Sequence, residues 1–203
     1  MYLYPKWIRL WHIINAIAVI ILILTGISMH FNPEESFLFD SGRAVKWHNI
    51  AALILTLNYM VFVTGNILTE NGKYYRLNKQ NFFSDLGRQI RYYSFRMSKK
   101  EKPPFPVTLD RKFNPLQKFV YVLVMYIAVP LLIISGIGLI LPEGSTNRIF
   151  GERGLIVTDI LHITMGLLIA LFMIIHIYAC TLGAKPASLF KSMITGYYES
   201  LDD

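Results

Sequence analysis

Residues 154–182, GLIVTDILHITMGLLIALFMIIHIYACTL, constrain what the rest of this chain can become. The run is longer than the roughly 20 apolar residues a helix needs to cross a bilayer, yet it holds two histidines, His162 and His176. Their separation of fourteen residues is about 21 Å along a helix axis at about 1.5 Å per residue. Steps of about 100° also bring His176 back to within about 40° of the face that carries His162. One helix therefore offers two imidazoles in the same direction, one near each side of the membrane. Ionisable side chains are costly inside a membrane and mark function by default. The plainer alternative is two unrelated histidines that hydrogen-bond between helices, and spacing alone leaves it open.

Three further segments, about 7–29, 47–68 and 119–141, join about 155–182 as candidate spans. In a chain of 203 residues, 54% of them hydrophobic, no separate soluble domain fits. The expected fold is an all-α integral membrane protein, one domain over 1–203, built as a bundle of four transmembrane helices. The first span carries His12 and Asn15 near its start and no small-residue cleavage pattern after it, so it reads as a retained helix and not a signal peptide. The single cysteine, Cys180, excludes an internal disulfide or a cysteine-ligated cluster within the chain. It reads as a small buried side chain.

The net charge of +7 is a topology signal. Lys6 and Arg9 stand at the start of the first span, the connection over 70–115 and the entry to span three are rich in lysine and arginine, and Lys185 and Lys191 follow span four. The opposite side holds only Arg43, Lys46, Arg148 and Arg153. The positive-inside rule then sets both termini in the cytoplasm of a multi-pass protein of the bacterial cytoplasmic (inner) membrane. Anionic lipid headgroups are the default partner of such a charge pattern, and nucleic acid is not expected.

Along the chain, Pro5 suits the first turn of helix one, which runs to about His30 before Asn32-Pro33. Ser41 reads as the N-cap of helix two, and Thr56, Asn58, Thr64 and Asn66 turn that helix toward the bundle interior. Within 70–115, Phe82, Phe83, Leu86, Ile90, Tyr93 and Met97 recur at helical spacing opposite Arg88, Arg91 and Arg96, the pattern of an interfacial amphipathic helix. Pro130 is expected to kink span three, and Ser135, Gly136 and Gly138 form a small-residue surface near its outer end. Lys185-Pro186 ends span four, and a second interfacial helix follows from Ser188 through Leu189, Met193, Ile194, Tyr197 and Leu201.

Depth sorts the histidines. His12 and His176 lie about two turns from the cytoplasmic side, His48 and His162 about two turns from the outer side. Pairing at equal depth gives two sites, both shared by helix four. Two facing imidazoles suit the axial positions of a haem iron, and two axial protein ligands favour electron transfer over oxygen chemistry. Gly26 and Gly166 leave room for a flat group beside them. Zinc lacks a third ligand per site; a proton relay would recruit carboxylates, and Asp159 alone lies in a span. His30 competes with His48, eighteen residues after His12 on one face, but it stands at its helix end.

With these residues in place the chain resembles the cytochrome b subunits of bacterial respiratory formate dehydrogenases, thiosulfate reductases and nickel-iron hydrogenases. The carriers are R-L-W-H (Arg9 to His12), the histidine that opens helix two, N-P-L-Q-K (Asn114 to Lys118) and the H-x13-H of helix four. The resemblance implies two haems b, the outer held by His48 and His162, the cytoplasmic by His12 and His176. It also implies a menaquinone (or other quinone) site at His176 and Asn114, with Gln117 and Lys118 contributing. Leu116 stands where the family has a glycine, and Arg9 is a candidate for a haem propionate. An iron–sulfur subunit and a catalytic subunit of a respiratory oxidoreductase are the implied partners, with electrons running between them and quinone in either direction. A stand-alone dihaem cytochrome b and a haem-free membrane anchor are the alternative readings.

Overall fold

The computed structural model describes residues 1–31, 40–77, 80–99, 101–141, 148–149 and 152–199. Four long helices dominate it: α1 (Lys6–His30), α2 (Ser41–Leu68), a third span made of α4 (Pro115–Leu123) and α5 (Val129–Ile140), and α6 (Gly154–Cys180). All four are long and apolar enough to cross a membrane. Between the second and third spans lie a 3-10 segment (Glu70–Tyr75) and α3 (Phe82–Arg91), and α7 (Ser188–Thr195) follows α6. A two-residue antiparallel ladder, Arg148–Ile149 with Glu152–Arg153, leads into α6.

The boundaries follow local chemistry. Pro5 is the N-cap of α1, whose expected stop at Asn32-Pro33 lies outside the described residues. The N-cap of α2 is Asp40, one residue before the expected Ser41; its carboxylate accepts from the Arg43 backbone N–H at 3.0 Å. A carboxylate does this better than a hydroxyl because it also meets the positive end of the helix dipole. The third span starts at Pro115, at the N-P-L-Q-K expected to open it, because Asn114 and Gln117 form a reciprocal capping box. Span four stops at Cys180 rather than at Lys185-Pro186, where the Thr181 hydroxyl donates to the Tyr178 carbonyl and tightens the last turn.

Near Pro130, where a kink is expected, the span holds a π-turn over Val124–Ala128 that ends two residues before the proline. Proline lacks an N–H and its ring crowds the carbonyl four residues back. That carbonyl belongs to Tyr126, inside the π-turn, and the widened turn accommodates it.

Two helix pairs make the bundle: α1 packs chiefly on α2, and α5 on α6. A cluster from all four spans joins the pairs, comprising Ile8, Trp11, Phe62, Val124, Met125, Ala128, Val129 and Ile169, with Trp11 stacked on Phe62 at 4.7 Å. Helix two does turn amides inward: Asn58 donates to the Trp11 carbonyl (3.0 Å) and Asn66 to the Tyr126 hydroxyl (3.1 Å), although Thr64 is exposed. Interhelical hydrogen bonds in membranes average only about 0.6 kcal/mol, so their main effect is to fix helix rotation. Asn66 also accepts from Asn71, and Asn71 accepts from the buried Lys112. Burial lowers the Lys112 ammonium to about 8, and the Tyr74 ring lies 4.2 Å from its nitrogen.

On the cytoplasmic side, α3 is amphipathic but rotated from the simplest expectation. Gln89 is its buried side chain, Phe82 packs on Phe119, and Phe83, Ile90 and Phe95 of the same segment stay exposed. Exposed apolar side chains beside Arg88 and Arg91 suit the bilayer interface. The tail helix α7 is shorter than its sequence pattern, because Gly196 ends it in the left-handed region (φ 88°); Leu201 lies outside the described residues.

Candidate functional site

The four deep histidines face each other across the seam between the helix pairs. His48 of α2 and His162 of α6 have ring centroids 6.2 Å apart, and so do His12 of α1 and His176 of α6. All four rings are half-buried. His30 joins neither pair; it is exposed at the end of α1 against Phe31.

The outer pair sits in two matched cradles. Thr25 places its hydroxyl 2.9 Å from His48 Nδ1, and Ser135 places its hydroxyl 3.0 Å from His162 Nδ1. Each hydroxyl has one hydrogen, and each donates it to its own helix: Thr25 to the Ile21 carbonyl (2.7 Å), Ser135 to the Leu131 carbonyl (2.7 Å). Toward histidine the oxygen can then only accept. Nδ1 must carry the proton, and Nε2 keeps the bare lone pair that binds a metal. Glycines complete the cradles. A Cβ on Gly26 would lie 3.7 Å from His48 Cε1, and one on Gly136 would lie 3.1 Å from His162 Cε1.

The inner pair is framed differently. Phe172 stacks on His176 with centroids 5.5 Å apart, and the Tyr121 hydroxyl lies 3.4 Å from His176 Nδ1. Cys180 Sγ is 3.8 Å from His176 Nε2, and Trp11 borders His12 at 6.4 Å. Tyr121 in turn packs edge-on against Phe113 (4.9 Å) and Phe172 (6.1 Å), so aromatic side chains wall this end of the seam.

Both pairs fit a bis-imidazole metal. Metal–nitrogen bonds of about 2.0 Å set the two ring centroids about 6 Å apart, which is the spacing of each pair. A Cβ on Gly166, between the pairs along α6, would meet nothing within 4 Å. Among the described residues no group of three histidine, cysteine or acidic side chains gathers to hold a metal ion. Two-ligand haem iron suits such a donor set better than zinc, which wants four ligands.

Of the residues expected at a quinone, Asn114, Gln117 and Lys118 open the third span at the cytoplasmic end. Asn114 is buried and doubly engaged: its oxygen accepts from the Gln117 N–H (2.9 Å) and its nitrogen donates to the Tyr93 hydroxyl (2.9 Å). Burial raises the Tyr93 phenol, while the amides of Asn114 and Gln89 offset part of that rise. Gln117 returns its side-chain oxygen to the Asn114 N–H, and Lys118 donates to the Arg76 carbonyl at 3.4 Å. Arg9 directs its guanidinium to the Ile194 carbonyl of α7.

The residues that sequence reasoning missed are Thr25, Ser135, Tyr121 and Tyr93. A signal for the first two was present: a hydroxyl residue followed by glycine occurs at Thr25-Gly26 and at Ser135-Gly136, each in the outer part of its span.

The family model described as prokaryotic cytochrome b561 matches residues 3–196. The cytochrome YdhU of Escherichia coli (strain K12) is 34% identical over 98% of this chain and 74% of its own length. A protein named as a protein-methionine-sulfoxide reductase subunit, YedZ1 of Azospira oryzae, is 27% identical over 41% of this chain and 48% of its own length. No solved structure matches. Four membrane-spanning helices, facing imidazole pairs and a family match over nearly the whole length lead to one assignment: this chain belongs to the prokaryotic cytochrome b561 family, whose members are haem b proteins of the membrane that transfer electrons.

Proposed function

We propose that the chain is the dihaem membrane subunit of a respiratory oxidoreductase, linking an outer iron–sulfur partner to the quinone pool. The carrying observation is the pair of facing imidazole sets, each with centroids 6.2 Å apart, placed near the two ends of α6. His48 and His162 would hold the outer haem, and His12 and His176 the inner one. Bound haem supplies one-electron redox chemistry. Thr25 and Ser135 fix the tautomer and orientation of the outer two imidazoles, and all four rings are half-buried in the helix bundle. Two protein imidazoles per site would hold the group from this chain alone and would favour electron transfer over oxygen binding.

The quinone site is proposed at the inner end, around Asn114 and His176, with Gln117 and Lys118 at its edge. Asn114 donates to Tyr93, and Gln89 reaches the same hydroxyl. Both amides point donors at the Tyr93 oxygen, so its own hydrogen is left to donate elsewhere, as a quinone carbonyl requires. Lysines and arginines on the cytoplasmic side keep that end hydrated and give protons access to it. The similarity to a protein named as a reductase subunit supports a role beside a catalytic partner.

A reduced-minus-oxidised spectrum with a haem count per chain tests this reading. Two b-type haems are expected. A chain purified from its native membrane with no b-type signal would sink the haem assignment, and isolation without an iron–sulfur partner would favour a stand-alone cytochrome. For the quinone site, Asn114→Ala is expected to weaken quinol-driven haem reduction and inhibitor response; unchanged values would move the site elsewhere.

A further inference from the structure

Residues 1–4, ahead of α1, meet residues 196–198, which follow α7. Met1 and Tyr198 exchange backbone hydrogen bonds, the terminal ammonium to the Tyr198 carbonyl (2.8 Å) and the Tyr198 N–H to the Met1 carbonyl (2.8 Å). Tyr2 and Tyr197 form an antiparallel bridge with their rings 5.3 Å apart. The Gly196 carbonyl accepts from Leu3 (2.8 Å) and Tyr4 (3.2 Å). One turn before His12, Arg9 donates to Ile194. Burial beside Tyr198 pushes the Tyr4 phenol up to about 12, as expected for a ring enclosed in the same junction.

This junction links two helices that otherwise touch little. His12 belongs to α1, which packs on α2, and His176 belongs to α6, which packs on α5. α7 follows α6 closely, with Ser188 and Ser192 buried against the body of the protein. A strap from the end of α6, through α7, to the start of α1 therefore spans the cytoplasmic mouth of the seam. Gly196 makes the crossing possible: its φ of 88° turns the chain out of α7, and a Cβ there would lie 2.6 Å from the Tyr2 ring and 2.8 Å from the Tyr4 carbonyl.

We infer that this terminal clasp sets the spacing of the inner imidazole pair, with Gly196 and Arg9 as positioning residues for it. The inference rests on the haem reading above for its functional meaning, but the spacing itself can be measured without haem.

The test uses the full chain in membranes with Gly196→Val, Arg9→Met and Arg9→Lys. Wild type should give two haems per chain and two distinct low-spin signals. Gly196→Val and Arg9→Met should lose or shift one signal only, and Arg9→Lys, which can still donate to Ile194, should restore it. Two unshifted signals in both disruptive variants would overturn the clasp, as would equal loss of both signals. A second arm reports when haem does not: spin labels on Lys6→Cys and Tyr178→Cys, with Cys180→Ala, should move apart in Gly196→Val. An unchanged distance overturns the clasp, whereas absent haem with a widened distance overturns only the haem reading.

Discussion

The two ends of α6 present the same side chain in different surroundings. At the outer end, His162 and its partner His48 are oriented by local chemistry, a hydroxyl on each Nδ1 and a glycine against each Cε1. At the inner end, His176 is stacked on Phe172 and meets a phenol at the limit of hydrogen-bond distance. Outer geometry is thus built into α1 and α5 themselves, whereas inner geometry depends on aromatic packing and on the strap between the chain ends. An outer site should respond to single-atom changes beside it. An inner site should tolerate them and respond to changes that move helices.

The largest effects should come from the imidazoles. His48→Ala is expected to remove the outer haem and keep the inner, halving haem per chain, while His30→Ala leaves both. Loss of the outer haem in the His30 variant alone would break the pairing. Next, Thr25→Val should weaken outer haem retention by about 10–100-fold, the usual cost of removing a ligand's orienting partner, with the inner spectrum unchanged. Ser135→Ala should act on the same haem through His162. A smaller change is expected for Gly136→Ala, whose Cβ at 3.1 Å from His162 Cε1 requires a ring shift of a few tenths of an ångström; a displaced outer midpoint potential with haem retained would report it. Tyr121→Phe should do least, because its hydrogen bond to His176 is long at 3.4 Å. If Tyr121→Phe cost the inner haem as much as Thr25→Val costs the outer, the contrast between the ends would fail.

Much of this was legible in the residues alone. Hydropathy and charge determined four spans and their orientation, because a bilayer requires long apolar helices and sorts basic loops to one side. Helical periodicity also placed His162 and His176 on one face of α6, and depth counting put His48 opposite His162 and His12 opposite His176. Helix ends were read less well. Asp40 displaced Ser41 as a cap, and Cys180 ended α6 before Lys185-Pro186, since caps are decided by which side chain reaches the free backbone groups.

What only the tertiary structure decided is the rotation of each helix about its own axis. That rotation turns Thr25 to His48 and Ser135 to His162, buries Gln89 while leaving Phe83 exposed, and joins Tyr2 to Tyr197. Pattern along one helix says which residues share a face. Which neighbour that face meets depends on packing between helices distant in sequence, such as Trp11 on Phe62 and Asn66 on Tyr126, and no single segment carries that information.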